Sequence, residues 1–154
     1  MYPVRFGVFL PTGDVNEAMA AALRAERDGL YSVSTNDHFF SPLGTPQTPQ
    51  NECFTILTAI AAVTSKIRLA PAVAAASFRT PPLLAKIAAT LDHVSRGRFI
   101  MGLGAGWQDK EYLAAGYAFP PIKERLAQLD ETIQVLKAMW TQDVPNYRGN
   151  HFEI

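Results

Sequence analysis

The chain has 154 residues, 48% of them apolar, and fourteen basic residues balance fourteen acidic ones. That length supports one domain over residues 1–154 with a sizeable core, and the composition is that of a folded globular protein rather than a disordered one. The even charge offers no electrostatic footprint for nucleic acid or an anionic membrane surface, and no apolar run approaches the roughly 18 residues of a membrane span.

Met1-Tyr2-Pro3-Val4-Arg5 passes straight into a strand pattern, without the basic and apolar regions of a secretion signal, so a cytoplasmic protein is expected. Arg5-Phe6-Gly7-Val8-Phe9-Leu10, closed by Pro11-Thr12-Gly13, reads as a strand buried on both faces. Asp14 followed by Glu17 is a capping-box-like start to a helix that carries Met19, Ala22, Leu23 and Glu26 and stops at Gly29. Leu30 to Thr35 is a second strand. The polar, turn-rich stretch from Ser41 to Asn51 is too long for a simple connection and is a candidate active-site loop.

Glu52 to Ser65 reads as a helix with Phe54, Leu57, Ala61 and Thr64 on one face. Cys53 is the only cysteine, so no disulfide framework or zinc motif exists and no metal is expected. A packing residue is its plain reading and a nucleophile the other. A third strand runs from Ile67 to about Ala75. Thr80-Pro81-Pro82 then opens a helix whose stripe is Leu84, Ile87, Ala88, Leu91 and Val94. Phe99 to Leu103 is a fourth strand, followed by a short helical piece near Gln108 to Ala115. A last helix from about Lys123 to Trp140 shows Leu126, Leu129, Ile133, Leu136 and Trp140 in a stripe. Tyr147 to Ile154 forms a small hairpin.

Four strand–helix units with a period of about 30 residues match half of an α/β (β/α)8 barrel, whose eight units need about 250 residues. A four-stranded open parallel sheet is the competing architecture. In either, ligands bind at the carboxyl ends of the strands.

Four features carry candidate chemistry. Asp37-His38 follows strand two; a carboxylate beside an imidazole can position a ring and move a proton, and the plain alternative is a capping Asp with a loop His. Asp92-His93, inside the third helix, has the same letters but a structural reading. Gly102-Leu103-Gly104-Ala105-Gly106-Trp107 lacks the third glycine of a dinucleotide fingerprint, since position 107 is Trp. Its glycines allow close approach to a flat ligand with Trp107 as a wall, or simply a tight turn. Ala72-Val73-Ala74 is small where a buried strand is usually bulky, which suits a bulge behind a planar ring or the filling of a barrel interior. Arg79, at the turn into the third helix, is a further candidate, with a solvated turn residue or a helix-capping partner as its plain reading.

Taken in order, several segments resemble the luciferase-like monooxygenase superfamily, especially its F420-dependent oxidoreductase branch. They include Thr35-Asn36-Asp37-His38-Phe39-Phe40, Phe78-Arg79-Thr80-Pro81-Pro82, Leu91-Asp92-His93-Val94-Ser95-Arg96-Gly97-Arg98-Phe99 and Gly102 to Trp107. The resemblance covers nearly the whole chain. It implies the first half of a TIM barrel that binds F420, or alternatively reduced FMN, and passes a hydride to or from a small organic substrate. It implies His38 as the catalytic residue. Cofactor contacts would come from Asp37, from Ala72 and Val73 as a bulge often built on a non-proline cis peptide, and from Gly104, Ala105 and Gly106. Trp107 would be a wall of the substrate pocket. Some F420 enzymes of the family carry an acid at the Trp107 position, so sugar-phosphate chemistry is not implied. The family's phosphate site belongs to its second half. This implies either a homodimer or association with a missing second half, and it keeps open a non-catalytic half barrel that needs a partner chain.

Overall fold

The computed structural model describes residues 4–42, 45 and 47–154. Met1, Tyr2 and Pro3, which precede the expected first strand, and Leu43, Gly44 and Pro46 of the expected active-site loop lie outside the described residues. The chain divides into two compact units. One is Met1–Ala74 with Leu91–Gly102; the other is Ala75–Thr90 with Leu103–Ile154.

The first unit is built on three parallel strands, β1 (Gly7–Phe9), β2 (Ser32–Thr35) and β3 (Arg68–Pro71), in the spatial order β1-β2-β3. Val8 lies opposite Val33, and Val33 opposite Leu69. Leu69 also bridges Phe99 in parallel, with the Leu69 N–H donating to Arg98 O at 3.1 Å and the Ile100 N–H to Leu69 O at 2.8 Å. Spatial order therefore follows chain order without reversal, as barrel closure needs and as a doubly wound sheet lacks. The fourth segment pairs with β3 only through this isolated bridge, so the expected strand from Phe99 to Leu103 is broken.

Two helices cover one face of these strands. In α1 (Val15–Arg27), the Asp14 carboxylate accepts from the Asn16 and Glu17 N–H groups at 2.8 and 3.0 Å, as the capping pattern predicts. Gly29, at φ 78°, ends it, and the Leu30 N–H reaches back to Ala25 O at 2.9 Å. Ala18, Ala22 and Ala25 are its buried residues, small enough to let the helix lie close, while Leu23 is exposed. In α2 (Cys53–Val63), Cys53, Phe54, Ile56, Leu57, Ile60 and Ala61 are all buried, so this helix buries more than the one predicted face. Val33, Leu57, Ile60 and Leu69 are fully buried; each such side chain stabilises the fold by about 1.5–3 kcal/mol through removal from water.

β1 corrects the sequence reading. Gly7, Val8 and Phe9 are all exposed rather than buried on both faces, because among the described residues β1 has a strand neighbour only at β2. An apolar run encodes affinity for a core but not how many neighbours supply it.

Arg98 ties the unit together. Its five guanidinium N–H groups meet five acceptors: Nε to Ser95 O at 2.7 Å, Nη1 to Thr64 Oγ1 and Ile67 O at 2.9 and 2.8 Å, and Nη2 to Ala61 O and Thr64 O at 2.9 and 3.0 Å. Two of these acceptors, Ala61 O and Thr64 O, are carbonyls at the end of α2, groups that a helix terminus leaves without intrahelical partners, and Ile67 O lies in the segment that follows.

The expected long third strand stops at Pro71; a short β4 (Ala74–Ala75) follows and forms a two-stranded sheet with β5 (Leu103–Gly104). A 3₁₀ turn over Ala76–Phe78 leads to α3 (Pro81–Ser95). Pro81, Leu84, Ala85, Ala88, Leu91 and Ser95 are its buried positions, whereas the predicted stripe members Ile87 and Val94 are half-buried and exposed. Asp92 and His93 are exposed on this helix.

In the second unit, Phe78, Tyr112, Tyr117 and Phe119 pack ring against ring with centroids 4.8–6.3 Å apart. Tyr112, on α4 (Asp109–Ala114), shares a 2.7 Å hydrogen bond with the Ser77 hydroxyl. In α5 (Ile122–Thr141) the buried residues are Glu131, Thr132, Val135, Leu136 and Ala138. Of the predicted stripe, Leu126 and Trp140 are exposed. Glu131 is buried because its carboxylate accepts the N–H groups of Asn150, His151 and Phe152 at 2.9–3.1 Å. These bonds hold the expected tail hairpin, which closes through an antiparallel Arg148–Glu153 bridge.

Candidate cofactor site

In a parallel sheet all carboxyl ends point one way, and in the first unit they bring three segments to one edge. After β2 come Asn36, Asp37 and His38; after β3 come Ala72 and Val73; after the Phe99 segment comes Gly102. The Ala72 N–H donates to Thr35 O at 2.8 Å, which fixes Ala72–Val73 beside the start of the Asn36–His38 segment. The Ala74 N–H donates to Gly102 O at 2.9 Å, which joins the third segment. A Cβ on Gly102 would run into Pro71 O, with Val73 Cγ1 3.2 Å away, so glycine is required for this close approach.

Burial separates the two expected contact groups. Asp37 is 5% exposed and His38 half-buried. Ala72 and Val73 are exposed, Val73 by 52%, between buried Pro71 and Ala74. The Ala72–Val73 peptide is cis, the geometry that the resemblance implied at this position.

A second polar feature has no local signal in the sequence. Gln50 Nε2 donates to Asn36 Oδ1 at 2.7 Å, and the Asn51 N–H donates to Thr12 O at 2.8 Å. The end of the long loop is thus tied to the carboxyl ends of β1 and β2. The polar composition of the loop gave a hint of such a role, but nothing local pointed to Asn36, fourteen residues earlier.

These residues fit a flat redox ring. Two small apolar residues stand exposed at the carboxyl end of an inner strand, where water-facing apolar surface is costly and a planar apolar ligand can cover it. On the adjacent strand, a buried carboxylate and an imidazole supply hydrogen-bonding groups next to that surface.

The second unit holds the remaining predicted residues. Gly104, Ala105 and Gly106 are half-buried and Trp107 is 65% exposed. Gly106 adopts φ 75°, a conformation that favours glycine, and a Cβ there would collide with the Tyr112 ring. The Gly106 carbonyl accepts from Arg125 Nη1, while Arg125 Nε donates to Pro120 O at 3.0 Å and the guanidinium lies 4.0 Å from the Phe119 ring centroid. The turn chemistry of Gly106 therefore has a structural cause within its own unit. Among the described residues, no cluster of three or more His, Cys, Asp or Glu side chains could hold a metal ion, and no helix is long and apolar enough to cross a membrane.

The sequence model described as luciferase-like monooxygenase matches residues 2–154. An F420-dependent glucose-6-phosphate dehydrogenase of Amycolatopsis mediterranei is 34% identical over 134 residues, 86% of this chain and 40% of that enzyme. The pyrimidine monooxygenase RutA of Allorhizobium ampelinum is 37% identical over 105 residues, 67% of this chain and 28% of that enzyme. Among solved structures, an F420-dependent secondary alcohol dehydrogenase in complex with an F420-acetone adduct superposes with a TM-score of 0.87 at 25% identity, covering 97% of this chain and 46% of that one. The FMN-bound oxygenating constituent of 3,6-diketocamphane monooxygenase from Pseudomonas putida shares the fold, with a TM-score of 0.80 at 18% identity. The chain thus spans less than half the length of these relatives, and its four-unit parallel arrangement is a half barrel of the TIM type.

Proposed function

The chain belongs to the luciferase-like monooxygenase family, and from that premise we propose that it forms the half of an oxidoreductase that holds the ring of F420, with reduced FMN as the alternative cofactor. Relatives of both kinds support this reading, and the F420-dependent ones include the curated dehydrogenase and the solved alcohol dehydrogenase described above. When bound, such a cofactor supplies or accepts the hydride exchanged with a small organic substrate.

In this reading Ala72 and Val73 back one face of the ring and keep water from it. Asp37 accepts a hydrogen bond from the ring's polar edge. His38 holds or moves the proton that accompanies hydride transfer. Gly104, Ala105 and Gly106 are further candidate cofactor contacts by resemblance, and Trp107 a candidate wall for the substrate. The observation that carries the proposal is the Ala72–Thr35 hydrogen bond, which sets the exposed Ala72–Val73 surface at the strand end next to Asp37 and His38.

A second reading is a non-catalytic half barrel that needs a partner chain, either a second copy or a complementary half. It is favoured by β1, whose residues are all exposed, with Val4 and Phe6 before it 79% and 69% exposed. One experiment separates the two: F420 and FMN are added separately to the purified chain and fluorescence quenching is followed. Saturable quenching by either cofactor supports the first reading. Quenching only after a complementary half is supplied supports the second, and no quenching in both conditions rejects cofactor binding altogether.

A further inference from the structure

The opposite, amino-terminal end of the same strands carries a feature that the cofactor reading does not use. There Val4, Phe6, Leu30 and Tyr31, together with Arg5, Lys66 and Arg68, line a cleft of about 460 Å³. The Arg5 guanidinium lies 4.5 Å from the Tyr31 ring centroid and that of Arg68 lies 5.4 Å from it, so the two cations converge on one aromatic ring. Neither guanidinium, nor the Lys66 ammonium, has an ion-pair partner among the described residues.

Among the described residues, the one carboxylate lining the cleft is Glu26, and it is already engaged. It accepts the Ser65 N–H and hydroxyl at 2.8 and 2.9 Å and the Lys66 N–H at 2.8 Å. Basic residues near helix C-termini are ordinary complements of the helix dipole. Arg5 and Arg68 do not fit that account, since Arg68 opens β3 and Arg5 lies just before β1.

From this we infer that the cleft binds an organic oxyanion: a carboxylate or phosphate group carried on an apolar body. The planar forks of Arg5 and Arg68 offer paired N–H donors that match an oxyanion. Stacking on Tyr31 pre-orders both side chains, which reduces the entropy lost on binding. The exposed apolar walls, Val4 and Phe6, suit the ligand's body rather than a bare ion. The site is separate from the cofactor edge, since parallel strands place Arg5, Tyr31 and Arg68 at one end and Asp37 and Val73 at the other.

The test uses the full chain labelled with ¹⁵N and titrated with phenyl phosphate, benzoate, inorganic phosphate and benzyl alcohol. Phenyl phosphate, benzoate or both should shift the amide signals of Gly29, Leu30, Tyr31 and Arg68 saturably. Inorganic phosphate should bind more weakly, and benzyl alcohol should not shift them. Whichever organic anion binds identifies the preferred head group. Arg5→Gln and Arg68→Gln should each weaken binding by about tenfold, the loss of one charge-assisted contact, whereas Arg24→Gln on exposed α1 should not. Unfolding midpoints of all three variants check that the fold survives, and Arg5, which is exposed, is the safer of the two site positions. The inference is overturned if neither organic anion binds saturably, if benzyl alcohol binds as well, or if the folded Arg5→Gln variant binds like the parent.

Discussion

Replacing Arg98 by methionine keeps an unbranched side chain of similar reach but removes all five donors at once. Arg98 is 9% exposed, so its acceptors have little access to water. Four carbonyls, those of Ala61, Thr64, Ile67 and Ser95, lose a partner. An orphaned buried polar group costs about 1–3 kcal/mol. The carbonyls of α2's last turn can recover part of this by rotating toward solvent, which brings the expected loss to about 3–5 kcal/mol, a large fraction of the roughly 5–15 kcal/mol that holds a domain folded. Arg98→Lys is the informative companion. A lysine presents three donors at one point and cannot serve acceptors fanned across five directions, so it should lose at least half as much. Urea unfolding at neutral pH measures both variants, with the slope monitored to detect a change in the unfolded state. If both lie within about 1 kcal/mol of the parent, the five hydrogen bonds do not hold the end of α2 and the reasoning fails.

Glu26 yields a pH prediction. Burial by itself pushes its pKa up, but the hydrogen bonds from the Ser65 N–H and hydroxyl and the Lys66 N–H, with Arg98 nearby, outweigh this and leave it below the ordinary glutamate value. A folded-state pKa that is depressed gives stability present above the unfolded value, about 4.3, and lost as pH falls through the folded one. Glu26→Gln should therefore flatten the loss of stability below about pH 4.3, and parallel curves for parent and variant in acid urea titrations would show that Glu26 contributes none of it. Gly106→Ala should destabilise by about 2–4 kcal/mol, from the positive φ and from collision with Tyr112. Gly116→Ala, also at positive φ but with nothing within 4 Å of the added Cβ, should cost only about 1–2 kcal/mol. Equal melting shifts for the two would mean that the Tyr112 contact is without consequence.

Local signals made much of the fold legible. Asp14 and Gly29 bracket α1 because caps act within one turn of the residues that encode them. The strand order was readable from the four evenly spaced units. Burial was harder to read wherever the deciding partner is distant in sequence. Glu131 is buried in α5 because three N–H groups nineteen to twenty-one residues later converge on it, while Leu126 and Trp140 on the same helix are exposed. Arg98 likewise depends on carbonyls of α2. The exposure of β1 was illegible, since an apolar run looks the same in a central strand and at an edge.

The candidate site divides in a similar way. Asp37-His38 and the small residues at 72–74 drew notice on their own chemistry. Their roles came from resemblance, because neither dipeptide carries a signal specific to a redox ring. The hydrogen bond from the Ala72 N–H to Thr35 O, which sets them side by side, crosses from one strand to the next and leaves no trace in local composition. The Gln50–Asn36 hydrogen bond is illegible for the same reason.

The most direct test of the central claim is a binding titration with ring-only ligands, riboflavin and the F420 deazaflavin stripped of its phosphate-bearing tail, against the parent and Val73→Glu. Val73 is exposed, so a glutamate there should leave the fold intact while placing a hydrated charge where the ring's apolar face is meant to rest. The account predicts saturable fluorescence quenching by one of the two rings in the parent and a loss of at least about tenfold in affinity in the variant, the equivalent of about 1.4 kcal/mol. Quenching by neither ring, or equal affinity in the two proteins, would contradict it.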